Sequence, residues 1–509
     1  MLDAILSGLS QVLLPQTLAL MMLGILIGFI VGILPGLGGA VTLAIMLPFT
    51  FSMDPVQGFA FLLGMWVVTS TAGDITSVLF GVPGEATSAA AVLDGYPLTR
   101  KGQGGRALGA VLTSSAMGAL CGAVVLALSI TLIRPVVLAL GPPEFFALTI
   151  LGLTFVITLS GKNLLKGFVM VALGILIALV GVDPQVGVPR FTFGQLYLWD
   201  GIALIPVVVG LFGGAEVLQL MLSKTSIAAA STPESKKLSG TATGVMDTFR
   251  HWVVVVRSAA IGVLVGLVPG LGGSVAQWVA YGQAQQSSKK PELFGKGAID
   301  GVIAAGATNN AKDAGSLIPT IAFGIPGGAG TAVLLGGFMI LGLNPGQEML
   351  TTHLDVTFSM VWITIFSNLI AVALAVLFIR PLTKLTRIPG RVLIPGLILL
   401  LVVGSYTASN SFADILVMLV ASAIGVICLR WDWPRVPFLL AIVLGGFAEN
   451  YLNLSTSIFD MAWVTRPGVL ILAVVILASV TYGIRTTRRR SRVIVPESSP
   501  EPAKETERS

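Results

Sequence analysis

Charge is scarce in this chain. Its 24 acidic and 30 basic side chains make up 11% of 509 residues, where a soluble domain carries about 25%. The shortage is concentrated. Residues 4–53, 107–133, 356–379 and 392–413 contain no Asp, Glu, Lys or Arg. About 20 apolar residues in a helix cross the roughly 30 Å hydrocarbon core of a bilayer, and a helix satisfies its own backbone there. These tracts read as membrane spans. A composition that is 55% hydrophobic, with a mean hydropathy of +0.92, excludes a soluble fold of this length.

Other absences narrow the chemistry. The two cysteines, Cys121 and Cys428, lie in apolar runs, and the two histidines, His251 and His353, lie far apart. That leaves no disulfide framework and no metal-ligand cluster. The N-terminal Met1-Leu2-Asp3-Ala4 lacks the basic start of a cleavable signal. No P-loop, nucleophile elbow or HExxH pattern occurs, so neither ATP-driven pumping nor hydrolysis has a sequence basis. The net charge of +6 comes from loops and a basic tail. It reports membrane topology rather than nucleic-acid binding.

What is present is a repeat. Residues 28–39 read GFIVGILPGLGG and residues 262–273 read GVLVGLVPGLGG, an offset of 234. Residues 80–89, FGVPGEATSA, recur as 323–332, FGIPGGAGTA, at an offset of 243. Two matched pairs in the same order indicate two homologous halves. A single G-x3-G is a common helix-packing motif, but it does not account for paired Pro-Gly clusters in register.

Basic residues orient the halves. Arg100, Lys101 and Arg106; Lys162 and Lys166; Lys224, Lys236, Lys237 and Arg250; Lys289, Lys290 and Lys296; Arg380, Lys384, Arg387 and Arg391; Arg430 and Arg435; and the C-terminal arginines form successive clusters. The positive-inside rule places them in the cytoplasm. The turns at 134–142, 183–198, 343–355 and 450–463 are poor in basic residues, with Arg134 and Arg190 as exceptions, and face outside. On this reading 107–133 runs outward and its counterpart 356–379 runs inward, so the repeats are inverted, an architecture common among secondary transporters. The expected protein is all-α and polytopic. It has broken helices, about 11 full crossings and two re-entrant hairpins at 11–52 and 251–284. The divisions are a first repeat over 1–222, a cytoplasmic linker over 223–250, a second repeat over 251–484 and a basic, disordered tail over 485–509. The N-terminus lies outside and the C-terminus inside.

The Pro-Gly clusters break helices at membrane depth, where unwound backbone is tolerated only beside protein or a wet cavity. A freed helix N-terminus suits a carboxylate, and freed carbonyls suit sodium. Binding positions are therefore expected at Gly36 and Gly38, at Gly270 and Gly272, at Pro83 and Gly84, and at Pro326 and Gly327, with hydroxyls from Thr87, Ser88 and Thr331. Asp74, Thr76 and Ser77 precede the first FG-x-PG break. Asn309, Asn310, Lys312, Asp313 and Ser316 precede the second. Ionisable groups inside spans are costly and face cavities. Lys312 either meets an anionic substrate or pairs with Asp313, and Asp313 either pairs or helps hold a cation. Glu85 and Asp94 fit the cytoplasmic rim as well as a site.

The stretches 74–109, DITSVLFGVPGEATSAAAVLDGYPLTRKGQGGRALG, and 309–337, NNAKDAGSLIPTIAFGIPGGAGTAVLLGG, with both PGLGG elements, resemble the large membrane subunit of the tripartite tricarboxylate transporter family. The resemblance extends over about 1–485, nearly the whole chain. It implies an inner-membrane carrier that works with a small four-helix membrane subunit and a periplasmic solute-binding protein. It also implies a carboxylate substrate, di- or tricarboxylate, and a sodium or proton gradient in place of a bound cofactor. The chain departs from the family pattern in one place. An acidic residue often precedes the Asn-Asn pair, and here that stretch is Ala304-Ala305-Gly306-Ala307-Thr308. A channel would call for a charged ring or filter-like tract, and an intramembrane enzyme for converging nucleophile and base; neither pattern occurs in the sequence.

Overall fold

The computed structural model describes residues 1–34, 37–159, 164–183, 185–222, 240–269, 271–378 and 390–493. Its helices are α1 (Leu2–Val12), α2 (Pro15–Gly32), α3 (Gly39–Met46), α4 (Pro55–Phe80), α5 (Ala89–Leu98), α6 (Gly104–Ala139), α7 (Pro142–Leu159), α8 (Leu164–Ala178) and α9 (Leu204–Leu222). They continue as α10 (Thr241–Arg250), α11 (Trp252–Leu267), α12 (Gly272–Ser287), α13 (Ile299–Phe323), α14 (Ala329–Ile340), α15 (Leu354–Leu377), α16 (Gly390–Tyr406), α17 (Phe412–Arg430), α18 (Arg435–Phe459) and α19 (Pro467–Val493). The one sheet among the described residues is a two-residue ladder pairing Gly181 with Arg190.

Among the described residues seven helices are long and apolar enough to cross a bilayer, or eight if the pair α10–α11, bent by 77°, counts as one span. Six shorter apolar helices accompany them. The chain is thus a multi-pass helical membrane protein. The charge-free tracts include all of α2 and α3 and most of α1, α6, α15 and α16. Gly36, Gly270, most of the stretch 223–250 and the terminal 494–509 lie outside the described residues. The end of the stretch expected as a linker forms α10, which packs on α6 through an Arg106–Asp247 ion pair of 2.6 Å. The basic segment from Arg485 continues α19 to Val493.

The same order of elements occurs twice, α1–α6 and α10–α15. The repeated glycines explain why. A methyl group on Gly28 would lie 2.5 Å from the carbonyl oxygen of Met65, and one on Gly32 2.7 Å from that of Thr69. In the second half a methyl on Gly262 would lie 2.8 Å from the Thr308 oxygen, and one on Gly266 2.3 Å from that of Lys312. The G-x3-G element is therefore a helix-crossing surface in both halves, where small residues let backbones touch and dispersion holds them. Contacts advance together along α2 and α4, and along α11 and α13, so each pair runs parallel. The chain must turn back between its members, and α3 and α12 lie in that return.

Terminal helices are exchanged between halves. Gly8 of α1 abuts Asp355 and Ser359 on α15, and Gly244 of α10 abuts Arg106 and Ala110 on α6. The two central helices, α4 and α13, are buried along nearly their whole length. Asn309 reaches Asp74 while Asp313 reaches Ser70, so the contacts run in opposite senses and α4 and α13 are antiparallel. Arg190, an exception to the charge pattern, is neutralised by two hydrogen bonds to Glu449, at 2.7 and 3.1 Å.

Gly266→Val drives a branched side chain against the α13 backbone. Overpacking of this kind costs about 1–3 kcal/mol. The expected result is a lower thermal midpoint and less monodisperse protein in detergent. Gly282→Ala, which meets nothing within 4 Å, should leave both unchanged.

Candidate functional site

Both FG-x-PG elements fold alike. α4 ends at Gly81 (φ 69°) and α13 at Gly324 (φ 68°), each in the left-handed conformation that glycine adopts without penalty. The chain then passes through Val82–Ser88 or Ile325–Gly328 before a helix resumes. Gly84 fits against Gly73 and the Gly32 oxygen. Its counterpart Gly327 fits against Ser316 and the Gly266 oxygen. Pro83 and Pro326 each precede that glycine in the unwound stretch, where their missing N–H costs no helical bond.

A cavity of about 270 Å3 opens where these breaks meet the α4–α13 crossing. That is just under the about 300–1,000 Å3 of drug-sized sites, so a compact metabolite fits. Trp66 and Ser70 of α4, Glu85 and Thr87 of the first break, and Lys312, Asp313 and Ser316 of α13 line it. Gly273 and Ser274 open α12 on one side, and Gly328, Ala329 and Gly330 lead into α14 on another. The Trp66 indole lies between the starts of α3 and α14. A methyl on Gly39 would be 2.7 Å from its Cδ1, and one on Gly330 2.4 Å from its Nε1.

The polar groups form one network. Lys312 Nζ donates to Asp313 Oδ1 at 2.7 Å, and both side chains are buried, at 8% and 6% exposure. Of the two readings for this lysine, the pairing with Asp313 is present, and it forms inside the cavity wall. Ser70 Oγ lies 3.0 Å from Glu85 Oε1 and 3.3 Å from Asp313 Oδ2, so its single proton serves two carboxylates. Thr87 donates to Glu85, and Gly39 N–H donates to Glu85 Oε2 at 3.1 Å. The cavity thus carries two carboxylates, Glu85 and Asp313, against one ammonium.

Helix N-termini distribute unequally. The start of α3, with Gly38 as its N-cap, is occupied by the chain's own Glu85. The starts of α12 and α14 face the cavity, and the first N–H groups of a helix have no partner within it. These two ends, together with Lys312, form the anion-attracting side of the chamber.

Five of the expected residues line the cavity: Thr87, Lys312, Asp313, Ser316 and Gly327. The other expected positions among the described residues lie around it. Thr76 and Ser77 return their hydroxyls to Gly73 O in their own helix. Ser88 bonds back to Glu85, and Thr331 to Gly328, at equivalent positions. Asn309 Nδ2 donates to Ser70 O at 3.1 Å and to Asp74 Oδ2 at 3.0 Å. Asn310 binds Thr71, Ser115 and Asn368, tying α13 to α4, α6 and α15. Gly272 begins α12. Trp66, Ser70 and Ser274 also line the cavity, and no sequence motif marks them. Ser70 and Asp313 are equivalents at the 243 offset, and aligning the repeats around Asp313 would have drawn attention to Ser70. Glu85 lies in the site rather than at the rim. Asp94 is buried away from the cavity, accepting from Tyr281 Oη and from the Gly297 and Ala298 N–H groups ahead of α13. Among the described residues no three His, Cys, Asp or Glu side chains cluster as a metal site.

The chain matches the family model described as "Tripartite tricarboxylate transporter TctA family" over residues 18–440. Two proteins of Agrobacterium vitis are similar to it. One, described as an uncharacterized 52.8 kDa protein in the TAR-I ttuC' 3' region, is 32% identical over 495 residues, 96% of this chain and 98% of that protein. The other, described as an uncharacterized protein in the TAR-II ttuC' 3' region, is 31% identical over 192 residues, 38% of this chain and 79% of that protein. No solved structure matches the chain.

Breaking a buried ion pair from one side strands the remaining charge, at about 3–5 kcal/mol. Lys312→Ala should therefore lower the thermal midpoint, and Lys312→Ala combined with Asp313→Ala should recover most of the loss. Additive losses in this double-mutant cycle would contradict the pairing.

Proposed function

The chain belongs to the tripartite tricarboxylate transporter TctA family, a family of membrane transporters, and from that membership we propose that it is the large membrane subunit of a binding-protein-dependent importer of di- or tricarboxylates and related organic acids. Its partners on this reading are a periplasmic solute-binding protein and a small four-helix membrane subunit. It resides in the bacterial inner membrane, with the N-terminus periplasmic and the C-terminus cytoplasmic, and uses a sodium or proton gradient.

The observation that carries the proposal is the convergence of two helix N-termini, those of α12 and α14, with Lys312 on one small chamber. A substrate carboxylate entering there competes with Asp313 for the lysine and takes up N–H groups that α12 and α14 leave open. Glu85 already fills the corresponding position at α3. It restricts the passenger to the second half's helix ends and repels an anion placed too deeply.

The antiparallel α4 and α13 and the exchanged packing of α1 and α10 support two inverted repeats with the PGLGG segments as hairpins. In such a carrier one half rocks against the other around a fixed site. Here the site would lie at the α4–α13 crossing, and the glycine contacts of α2 with α4 and of α11 with α13 would keep each half rigid.

Uptake of labelled citrate or tartrate into vesicles containing all three components should require the binding protein and collapse when an ionophore dissipates the gradient. Flux that survives either removal would refute the assignment. The Lys312→Ala, Asp313→Ala double variant should stay folded and yet lose uptake by at least about tenfold, the cost of one charged hydrogen bond. Gly84→Val and Gly327→Val should lose folding and uptake together.

A further inference from the structure

A fully buried carboxyl of the core, Asp74, lies outside the chamber lining. It sits one helical turn beyond Ser70 on α4 and has no exposure to solvent. Oδ2 accepts from Asn309 Nδ2 at 3.0 Å, while Oδ1 has no hydrogen-bond partner in the protein. Asn309 is equally enclosed, and its Oδ1 is also without a partner. The amide orientation is fixed by chemistry. Nδ2 faces two acceptors, Asp74 Oδ2 and Ser70 O, and turning the amide over would set Oδ1 against both. One hydrogen bond is therefore flanked by two bare oxygens, each an acceptor that burial makes expensive to leave unpaired.

We propose that Asp74 is the proton-carrying residue of this transporter, held as a carboxylic acid in a cyclic pair with Asn309. A proton on Oδ1 turns that oxygen into a donor to Asn309 Oδ1 and completes the second bond of an acid–amide pair. A single proton removes both defects and the unpaired charge, whereas an ionised Asp74 keeps one hydrogen bond for a fully buried carboxylate. The surroundings supply no better counter-charge. The break after α4 brings Glu85, and α13 brings Asp300, beside His251, and Lys312, already bound to Asp313. α2, α3 and α14 bring no titratable side chain. α5 brings Tyr96 and Asp94, the latter bound to Tyr281, Gly297 and Ala298. α1 brings Asp3, and α6 brings Arg106, Cys121 and Arg134. α15 brings Asp355, which accepts from Gln11.

The proposal rests on the carrier reading and selects the proton as its coupling ion. Rocking that parts α4 from α13 separates Asp74 from Asn309 and wets the carboxyl. The Oδ1–H bond then breaks, the proton passes to water on the open side, and the carboxylate left behind takes a proton from water on the other side once access has alternated.

The test uses the full chain in lipid nanodiscs. An infrared difference spectrum between wild type and Asp74→Asn at neutral pH should show a protonated-carboxyl C=O stretch in wild type that the variant loses. Asp74→Asn reproduces both donor and acceptor of the acid, so its thermal midpoint should match wild type. The wild-type midpoint should also be unchanged when sodium replaces choline at constant ionic strength. A missing acid band would overturn the proposal. So would an Asp74→Asn variant that fails to fold, or a saturable stabilisation by sodium that the variant abolishes, which would make this a cation site. None of these readouts needs a substrate, so failed carboxylate uptake would remove the carrier reading and leave the protonation result standing.

Discussion

The antiparallel crossing of α4 and α13 is the contact on which the rest of the molecule depends. Each helix is sealed on its outer side by a parallel partner, α2 or α11, whose glycines touch its carbonyl oxygens. Lipid chains are as apolar as leucine, so no hydrophobic force drives these helices together, and close packing with buried hydrogen bonds must do so. The Asn309 and Asn310 amides bridge the crossing directly, and the small cavity opens at its edge, where both helices stop at left-handed glycines.

A duplicated scaffold need not give a symmetric site. Ser70 and Asp313 are equivalents that touch each other, and around them the two halves diverge. Thr69 stands where the second half has Lys312, and Gly328 stands where the first has Glu85. The consequence is electrostatic. Glu85 accepts the N–H at the start of α3, while the starts of α12 and α14 border the chamber. The first half sets its own carboxylate at a helix start, and the second half has a glycine at the equivalent position.

Packing glycines and site glycines overlap at one position. Gly28, Gly32 and Gly262 belong to repeated motifs and serve helix contact, and Gly266 of the same motif both packs on α13 and borders the cavity. Gly273, Gly327, Gly328 and Gly330 border the cavity, and their lack of side chains brings the backbone to its surface. Hydroxyls divide likewise. Thr76, Ser77, Ser88 and Thr331 bond to nearby backbone, a local competition open to any Ser or Thr in a helix or at its start, whereas Ser70 spans two carboxylates from distant segments.

The sequence alone determined the helical membrane class, the duplication and the positions of both helix breaks. These rest on composition, on periodic absence of charge and on Pro and Gly chemistry, all of which act within a few residues. It also singled out Lys312 and Asp313, because charge in an apolar span is conspicuous wherever it points. Only the tertiary structure decided that Glu85 enters the chamber instead of its rim, that Trp66 walls it, and that Asp74 is sealed against Asn309 behind it. Those outcomes depend on which faces of α4 and α13 meet, a choice set by contacts between residues far apart in the chain.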